Sequence, residues 1–74
     1  MEKKSNVGKT CRILATKCQL EIIGIDYCLT GLIGRITKIY PTGFYEVEVT
    51  FAYLGVELTE KFDIPKTMLK ILKK

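Results

Sequence analysis

The stretch "TGLIGRITKIYPTGFYEVEV", residues 30–49, decides the fold of this 74-residue chain. After the Tyr40–Gly43 turn, in which proline fixes φ and glycine accepts a positive φ, apolar residues occupy every second position. Side chains two residues apart lie on the same side of a strand, so we expect this set to face a core and the intervening residues to face water. The alternating residues are Tyr45, Val47, Val49, Phe51 and Tyr53.

The residues before the turn predict a bent strand. Gly31 and Gly34 flank an apolar pair, and glycine inside a strand marks a bend, a bulge or a close backbone approach. Ile36 and Ile39 are three apart, which an ideal strand would place on opposite faces. We therefore expect a bulge that turns both isoleucines inward.

Towards the N-terminus, alternation predicts a first strand over residues 7–15, with Cys11, Ile13 and Ala15 on one face. The following segment, residues 16–30, keeps no single hydrophobic period. We interpret it as a long, partly extended loop, and a short helix over residues 17–23 is the alternative.

Towards the C-terminus, Leu54–Gly55 predicts a second tight turn, after which Val56, Leu58 and Phe62 share a face. Pro65 should end that strand and begin a single helical turn, and "LKILKK" can form a short closing strand. Together these patterns predict an all-β chain of five short strands that closes into a small barrel. An OB-type barrel is the second choice of fold. It needs a longer helix between its third and fourth strands, whereas the only long gap between predicted strands here comes early, between Ala15 and Gly31.

Three segments resemble a Src-homology-3-like barrel across residues 7–72. "VGKTCRI" is similar to the G-x-x-hydrophobic-R-hydrophobic opening of such domains, and "GLIGRITKIYPTGFYEVEV" resembles a KOW-type hairpin. "FDIPKTMLKIL" resembles the proline-initiated turn and closing strand. The resemblance implies a five-stranded barrel with one 3-10 turn before its last strand.

That resemblance implies three classes of function. KOW-type domains bind RNA or protein, and Src-homology-3 domains bind polyproline ligands. Similar barrels are accessory subunits of photosynthetic electron-transfer enzymes, such as the variable subunit of ferredoxin–thioredoxin reductase. Leu32–Ile33 stand where KOW hairpins usually carry a basic residue, which weakens the RNA interpretation. Polyproline recognition needs an aromatic groove, and the chain has no Trp and no ALYDY-like stretch.

Composition sets the class of protein. With 47% hydrophobic residues the chain is far from a disordered composition. We expect a flexible N-terminus over residues 1–6 and one domain over residues 7–74. No run is long enough to span a bilayer, and "MEKKSNVGK" lacks the apolar core of a signal peptide. The expected location is therefore the cytoplasm.

Catalytic and metal chemistry have few candidate residues. The chain has no histidine and three cysteines without C-x-x-C spacing, so we expect free thiols, at least two facing the core, and no bound metal or cofactor. "NVGKT" lacks a phosphate loop's first glycine, because Lys3 stands at that position. Glu46 and Glu48 on one strand face could share a proton, but we expect them to face water. We predict no enzymatic activity.

Charge is segregated along the chain and favours a binding function. Residues 1–41 and 64–74 each carry +4, and residues 42–63 carry −4. Segregated charge favours oriented docking on a partner of matching potential. The leading hypothesis is a non-catalytic adaptor, or accessory subunit of a complex, that binds another protein. Its expected contact residues are Tyr40, Phe44, Glu46 and Glu48.

The alternative hypothesis is an RNA- or DNA-binding KOW-like module. Phosphate contacts from basic side chains dominate such affinity. If the first two strands are neighbours, Arg12 and Arg35 share one outer face. The candidate contacts are Lys9, Arg12, Arg35 and Lys38, with Tyr40 and Phe44 available to stack on bases. Against it, Glu46, Glu48 and Glu57 should form an acidic outer face that repels phosphate.

Overall fold

The computed structural model describes residues 5–72. Five antiparallel strands form one sheet in the order β4-β3-β2-β1-β5. The prediction of a mostly β chain with five strands and one 3-10 turn is confirmed. β4 and β5 lie at the two edges of this sheet. The elements are β1 Thr10–Ile13, α1 Lys17–Ile22, β2 Ile33–Ile39, β3 Phe44–Tyr53, β4 Val56–Pro65, a 3-10 turn Lys66–Met68 and β5 Leu69–Ile71.

The chain ends fall partly outside the described residues. Of the N-terminus expected to be flexible, residues 1–4 lie outside them, and within it the Asn6 amide donates a hydrogen bond of 3.2 Å to the Tyr45 hydroxyl. The last two residues of "LKILKK", 73–74, also lie outside the described range. Within residues 5–72 no helix is long and apolar enough to cross a membrane.

The core lies on one face of the sheet. The alternation of β3 is confirmed, because Tyr45, Val47, Val49 and Phe51 are all buried. Tyr53 departs from the expectation, since 45% of its surface is exposed. The other buried apolar residues come from every part of the fold and are Cys11, Ile13, Ala15, Leu20, Ile25, Leu29, Ile36, Ile64 and Leu69.

β2 lies close against β3 at Gly34, and the absence of a side chain at this residue permits the close approach. A Cβ at Gly34 would lie 2.6 Å from Val47 Cγ1 and 2.8 Å from the Glu48 carbonyl oxygen. The predicted bulge is also present, because the register shifts between Ile36 and Lys38. Ile36 is buried as expected, and Ile39, opposite the buried Tyr45, lies on the same side of the sheet but is 37% exposed. Ile39 forms the last pair before the turn, at the margin of the core.

The segment after β1 is not simply a loop, and the alternative of a short helix is correct. α1 begins with a capping box: the Gln19 backbone N–H donates to Thr16 Oγ1 at 3.2 Å, and the Thr16 N–H donates to Gln19 Oε1 at 2.9 Å. Such reciprocal bonds satisfy two orphan donors of the first turn. Leu20 of α1, together with Ile25 and Leu29, covers the core.

β1 is shorter than expected, because Gly8 adopts a φ of 92° and β1 begins only at Thr10. All three cysteines are free. Cys11 is buried, but Cys18 and Cys28 are exposed, so the expectation of at least two core-facing thiols was wrong. Both exposed thiols lie in the segment whose period the sequence did not reveal.

The β3–β4 hairpin extends beyond the rest of the sheet. β3 pairs with β4 along its full length, whereas pairing with β2 runs only from Gly34–Val49 to Ile39–Tyr45. Residues 50–59 therefore form a two-stranded segment, called the ribbon below. Its predicted turn is confirmed, and both turn residues have positive φ, 53° at Leu54 and 80° at Gly55. Positive φ at both positions is the type I′ geometry.

Candidate interaction surfaces

Tyr40 and Glu46 belong to one hydrogen-bonded group beside the β2–β3 turn, called the Tyr40 cluster below. The Tyr40 hydroxyl donates to Glu46 Oε2 at 3.4 Å, and the Thr37 hydroxyl donates to Glu46 Oε1 at 2.9 Å. Thr37 is the extra residue of the bulge, so the bulge is what points its hydroxyl at this carboxylate. Lys38 and Asp63 complete the cluster, as the residues paired with Glu46 on β2 and β4.

The electrostatics of the Tyr40 cluster favour a neutral phenol. Partial desolvation, followed by the negative charges of Asp63 and Glu46 and their hydrogen bonds, raises the pKa of Tyr40. The Lys38 ammonium lies 5.7 Å from the centre of the Tyr40 ring, within the range of a cation–π contact. The hydroxyl of Tyr40 and the carboxylate of Glu46 thus already have partners within the chain.

A shallow cleft runs beside this cluster. Tyr40 and Phe44 are half-buried, so part of each ring reaches solvent. Ile23, which follows α1, approaches the turn and lines the cleft from the other side. The remaining lining residues are Pro41, Thr42 and Asp63. Two of the predicted partner-binding residues, Tyr40 and Phe44, therefore share an open, mixed surface.

Glu48, the fourth predicted contact residue, lies in a row of alternating charges. It forms an ion pair with Arg35 of β2 at 3.3 Å, and Lys61 stands opposite it on β4. The expected acidic outer face is thus wrong in detail, because cations neighbour Glu46 and Glu48. Glu57 lies apart from them on the ribbon, opposite Ala52.

Two of the four basic candidates, Arg12 and Arg35, lie together on the outer face of β1 and β2. Arg35 pairs with Thr10, and Arg12 is two residues farther along β1, so both arginines lie on one face as predicted. Arg12 Nη1 donates to the Gly31 carbonyl oxygen at 3.1 Å. Lys70 of β5 stands opposite Arg12 and extends the cationic row. Lys9 is exposed just before β1, and Lys38 lies opposite Glu46.

An aromatic cluster at the base of the ribbon was not predicted. The Tyr27 ring, from the segment between α1 and β2, lies 4.8 Å from Phe51 and 5.0 Å from Tyr53, centre to centre. It also lies 5.9 Å from Phe62. These distances and tilted geometries are those of favourable aromatic pairs. The alternation of β3 and β4 indicated three of the four rings, but nothing in the sequence indicated that Tyr27 packs on them.

A cleft of about 260 Å³ opens beside the aromatic cluster. Tyr27, Phe51 and Tyr53 form its apolar wall. Its charged residues are Glu21, Asp26 and Lys17, so the acidic groups outnumber the basic one. Three aromatic rings thus line one side of this cleft, although the chain has no tryptophan.

The ribbon ends in exposed apolar side chains. Tyr53 is 45%, Leu54 84% and Val56 57% exposed. Tyr53 and Val56 were expected on the core face, and they do lie on that side of the hairpin, but beyond the reach of the core. Leu54 is also the only non-glycine residue with positive φ among residues 5–72.

Neither a search for metal-ligand groups nor comparison with known proteins assigns a function to these surfaces. Within residues 5–72 no three or more Cys, Asp and Glu side chains are grouped so that they could hold a metal ion. No protein-family model matches the chain, and neither a curated protein nor a solved structure shows significant similarity to it. Function is therefore argued from the surfaces themselves.

Proposed function

We propose that the protein is a non-catalytic binding module that docks another protein on the end of its ribbon. Leu54 is the observation that carries this proposal. A left-handed φ costs an L-residue with a side chain about 1–2 kcal/mol, and Asn or Gly is the favoured residue at this position of a type I′ turn. Leu54 nevertheless stands there, 84% exposed. A strained residue with no packing role in its own fold supports a role in binding.

The neighbours of Leu54 define the chemistry of the partner. Tyr53 and Val56 extend the apolar surface, and Tyr27 supports Tyr53 from below. Aromatic residues of this kind are enriched at interface centres. Glu21 and Asp26 border the adjoining cleft. The partner that fits is a protein segment with an apolar anchor and a neighbouring lysine or arginine.

The Tyr40 cluster is the second surface of the same proposed function. Tyr40 and Phe44 offer ring surface beside a cleft, as the adaptor hypothesis requires. We rank the Tyr40 cluster below the ribbon as a docking surface, because the Tyr40 hydroxyl and the Glu46 carboxylate are hydrogen-bonded to each other. We also infer that the sheet curls into a nearly closed Src-homology-3-like barrel, whose edge strands β4 and β5 do not pair with each other among residues 5–72. The order β4-β3-β2-β1-β5 and the 3-10 turn before β5 support this inference.

The test replaces Leu54 by asparagine and compares the partners captured by the immobilised full-length protein. The Leu54→Asn variant should stabilise the fold by about 0.5–1 kcal/mol, because asparagine tolerates the turn conformation better, and it should lose the specific partner. Ile22→Asn is the matched control: Ile22 is 82% exposed on α1, so the same apolar loss occurs away from the ribbon. Urea unfolding measures the stability of each variant.

The comparison of the two variants decides the proposal. Loss of the partner with Leu54→Asn but not with Ile22→Asn supports docking on the ribbon. Equal capture by both variants contradicts it. Loss with Tyr40→Ala and Phe44→Ala instead would move the docking surface to the Tyr40 cluster. In each case nuclease treatment of the lysate shows whether capture depends on nucleic acid.

Nucleic-acid binding is the second candidate function, and the row of Arg12, Arg35 and Lys70 on adjacent strands favours it. A labelled single-stranded oligonucleotide titrated at low and high salt tests it, since phosphate-driven affinity falls steeply with salt. Arg12→Gln should weaken such binding, whereas Lys66→Gln, on the 3-10 turn, should not. Salt-independent or absent binding removes this candidate.

A further inference from the structure

β4 is a ten-residue strand at one edge of the sheet. Within residues 5–72 it pairs only with β3. The Lys66 N–H donates to the Gly43 carbonyl oxygen at 2.9 Å, and antiparallel pairs alternate between bonded and non-bonded positions. The backbone groups of Glu57, Thr59 and Lys61 therefore point away from β3. A free row of this kind is a template for another strand.

We propose that β4 pairs antiparallel with β4 of a second copy, with the two-fold axis at Thr59. In this register Glu57 of each copy stands opposite Lys61 of the other, on the outer face. On the inner face the exposed Val56 stands opposite the half-buried Phe62. Opposite charges and apolar pairs at directly opposed positions both stabilise strand pairs. The contact would join two five-stranded sheets into one of ten strands.

Other registers fit less well. An axis at Glu60 sets Glu57 against Asp63 twice, and an axis at Lys61 sets that lysine against itself. An axis at Leu58 pairs no opposite charges. An axis at Phe62 does pair Lys61 with Asp63, but it places Pro65, which has no N–H, at a hydrogen-bonding position and leaves Val56 uncovered. Charged residues usually protect an edge strand from pairing, but at the Thr59 register these charges are self-complementary.

Sedimentation of the full chain over a range of concentrations tests the proposal. Wild type should show a monomer–dimer equilibrium, and Glu57→Lys should raise the dimer Kd by about tenfold, because it opposes two like-charged pairs. Glu60→Lys is the matched control, with the same change in net charge on the same strand but opposite Leu58 of the second copy. Combining Glu57→Lys with Lys61→Glu restores both opposite-charge pairs and should restore most of the affinity.

Disulfide trapping tests the register itself, in a background with Cys18→Ser and Cys28→Ser. The Thr59→Cys variant meets its own copy across the axis, where bonded strand pairs have Cα atoms about 5.5 Å apart, within disulfide range. Oxidation should therefore give a covalent dimer. Asp63→Cys, on the same edge, faces Gly55 of the second copy and should give no covalent dimer on oxidation.

A chain that stays monomeric at every concentration, or a dimer weakened equally by Glu57→Lys and Glu60→Lys, overturns the proposal. The two proposals share Val56, but they are separable at Leu54, because Leu54 lies outside the paired residues 56–62. The Leu54→Asn variant should therefore lose the docking partner and keep the dimer.

Discussion

The two halves of the β3–β4 hairpin share strands and pairing but differ in what surrounds them. The near half, residues 44–49 and 60–65, has β2 beside it and the core beneath it. The ribbon, residues 50–59, has no third strand among the described residues, and its base, at Phe51 and Leu58, packs on the edge of the core and on the Tyr27 ring. Two-stranded segments are marginally stable by themselves. The near half therefore holds the fold together, and the ribbon depends on it.

The turns at the two ends repeat this difference. At the β2–β3 turn, Tyr40, Thr37 and Glu46 are joined by hydrogen bonds. At the ribbon turn a strained leucine projects into solvent. One turn uses its side chains to stabilise its own chain, and the other leaves them available for contact. Exposed apolar groups with that arrangement are characteristic of binding surfaces.

The largest effect should come from breaking the near half at Gly34. The Gly34→Ala variant places a Cβ against the Glu48 carbonyl oxygen and Val47 Cγ1, at 2.8 and 2.6 Å. Backbone cannot yield there as a side chain can, so the free energy of unfolding should fall by about 2–3 kcal/mol, the range of overpacked cores. Urea unfolding followed by circular dichroism measures this loss.

Thr50→Ala is the ribbon control for that variant. It removes one exposed hydroxyl pair, Thr50 with Thr59 at 2.8 Å, and should cost less than about 1 kcal/mol. If both variants destabilise the protein equally, the two halves of the hairpin contribute alike and the comparison fails.

Sequence patterns predicted the near half well, for a physical reason. Its side chains alternate between core and water, so the apolar residues at every second position of β3 predicted which side chains are buried. The bulge before Lys38 was likewise predictable, from isoleucines three residues apart. The partial exposure of Ile39 was not predicted, because pattern alone does not show where the core ends. The same limit explains Tyr53 and Val56, which continue the alternation beyond the core.

The candidate surfaces were less predictable, because they depend on contacts distant in sequence. α1 has only six residues, too few to show a helical period, and its one local signal was the Thr16–Gln19 capping box. Tyr27 meets Phe51 and Phe62 only after the sheet has formed. The turn at Leu54–Gly55 was predicted, but the left-handed conformation of the leucine follows from strand twist. The outer-face pairing of Arg12 and Arg35 was predicted, since it required only that β1 and β2 be neighbours.

A smaller and equal effect should follow from substituting the two turn glycines. Gly43 and Gly55 have φ of 97° and 80°, and a Cβ at either would meet nothing within 4 Å. Gly43→Ala and Gly55→Ala should therefore each cost about 1–2 kcal/mol of folding stability, from backbone conformation alone. Only Gly55→Ala should also weaken partner capture. Similar stability losses with a difference in binding would separate the two turns by function.

The smallest effect is a titration confined to the Tyr40 cluster. Because desolvation, Asp63 and Glu46 raise the pKa of Tyr40, the folded state holds the phenol proton more tightly than the unfolded state. The resulting stability is complete below the unfolded pKa and is lost as pH rises through the folded pKa. The effect therefore lies in the alkaline range and leaves neutral-pH stability unchanged. Tyrosinate absorbance of wild type minus that of Tyr40→Phe isolates this group.

Removing the neighbouring charges should identify the cause of that shift. Asp63→Asn and Glu46→Gln each remove a negative charge beside the phenol, so each should lower the pKa of Tyr40 towards its ordinary value. Glu48→Gln is the matched control, since that carboxylate pairs with Arg35 and is not among the groups that shift Tyr40. If Glu48→Gln lowers the pKa as much as Glu46→Gln does, the general charge of β3 rather than the Tyr40 cluster is responsible. The carboxylates beside the β2–β3 turn would then have no specific interaction with Tyr40. In that case both turns, and not the ribbon turn alone, would offer side chains to a partner.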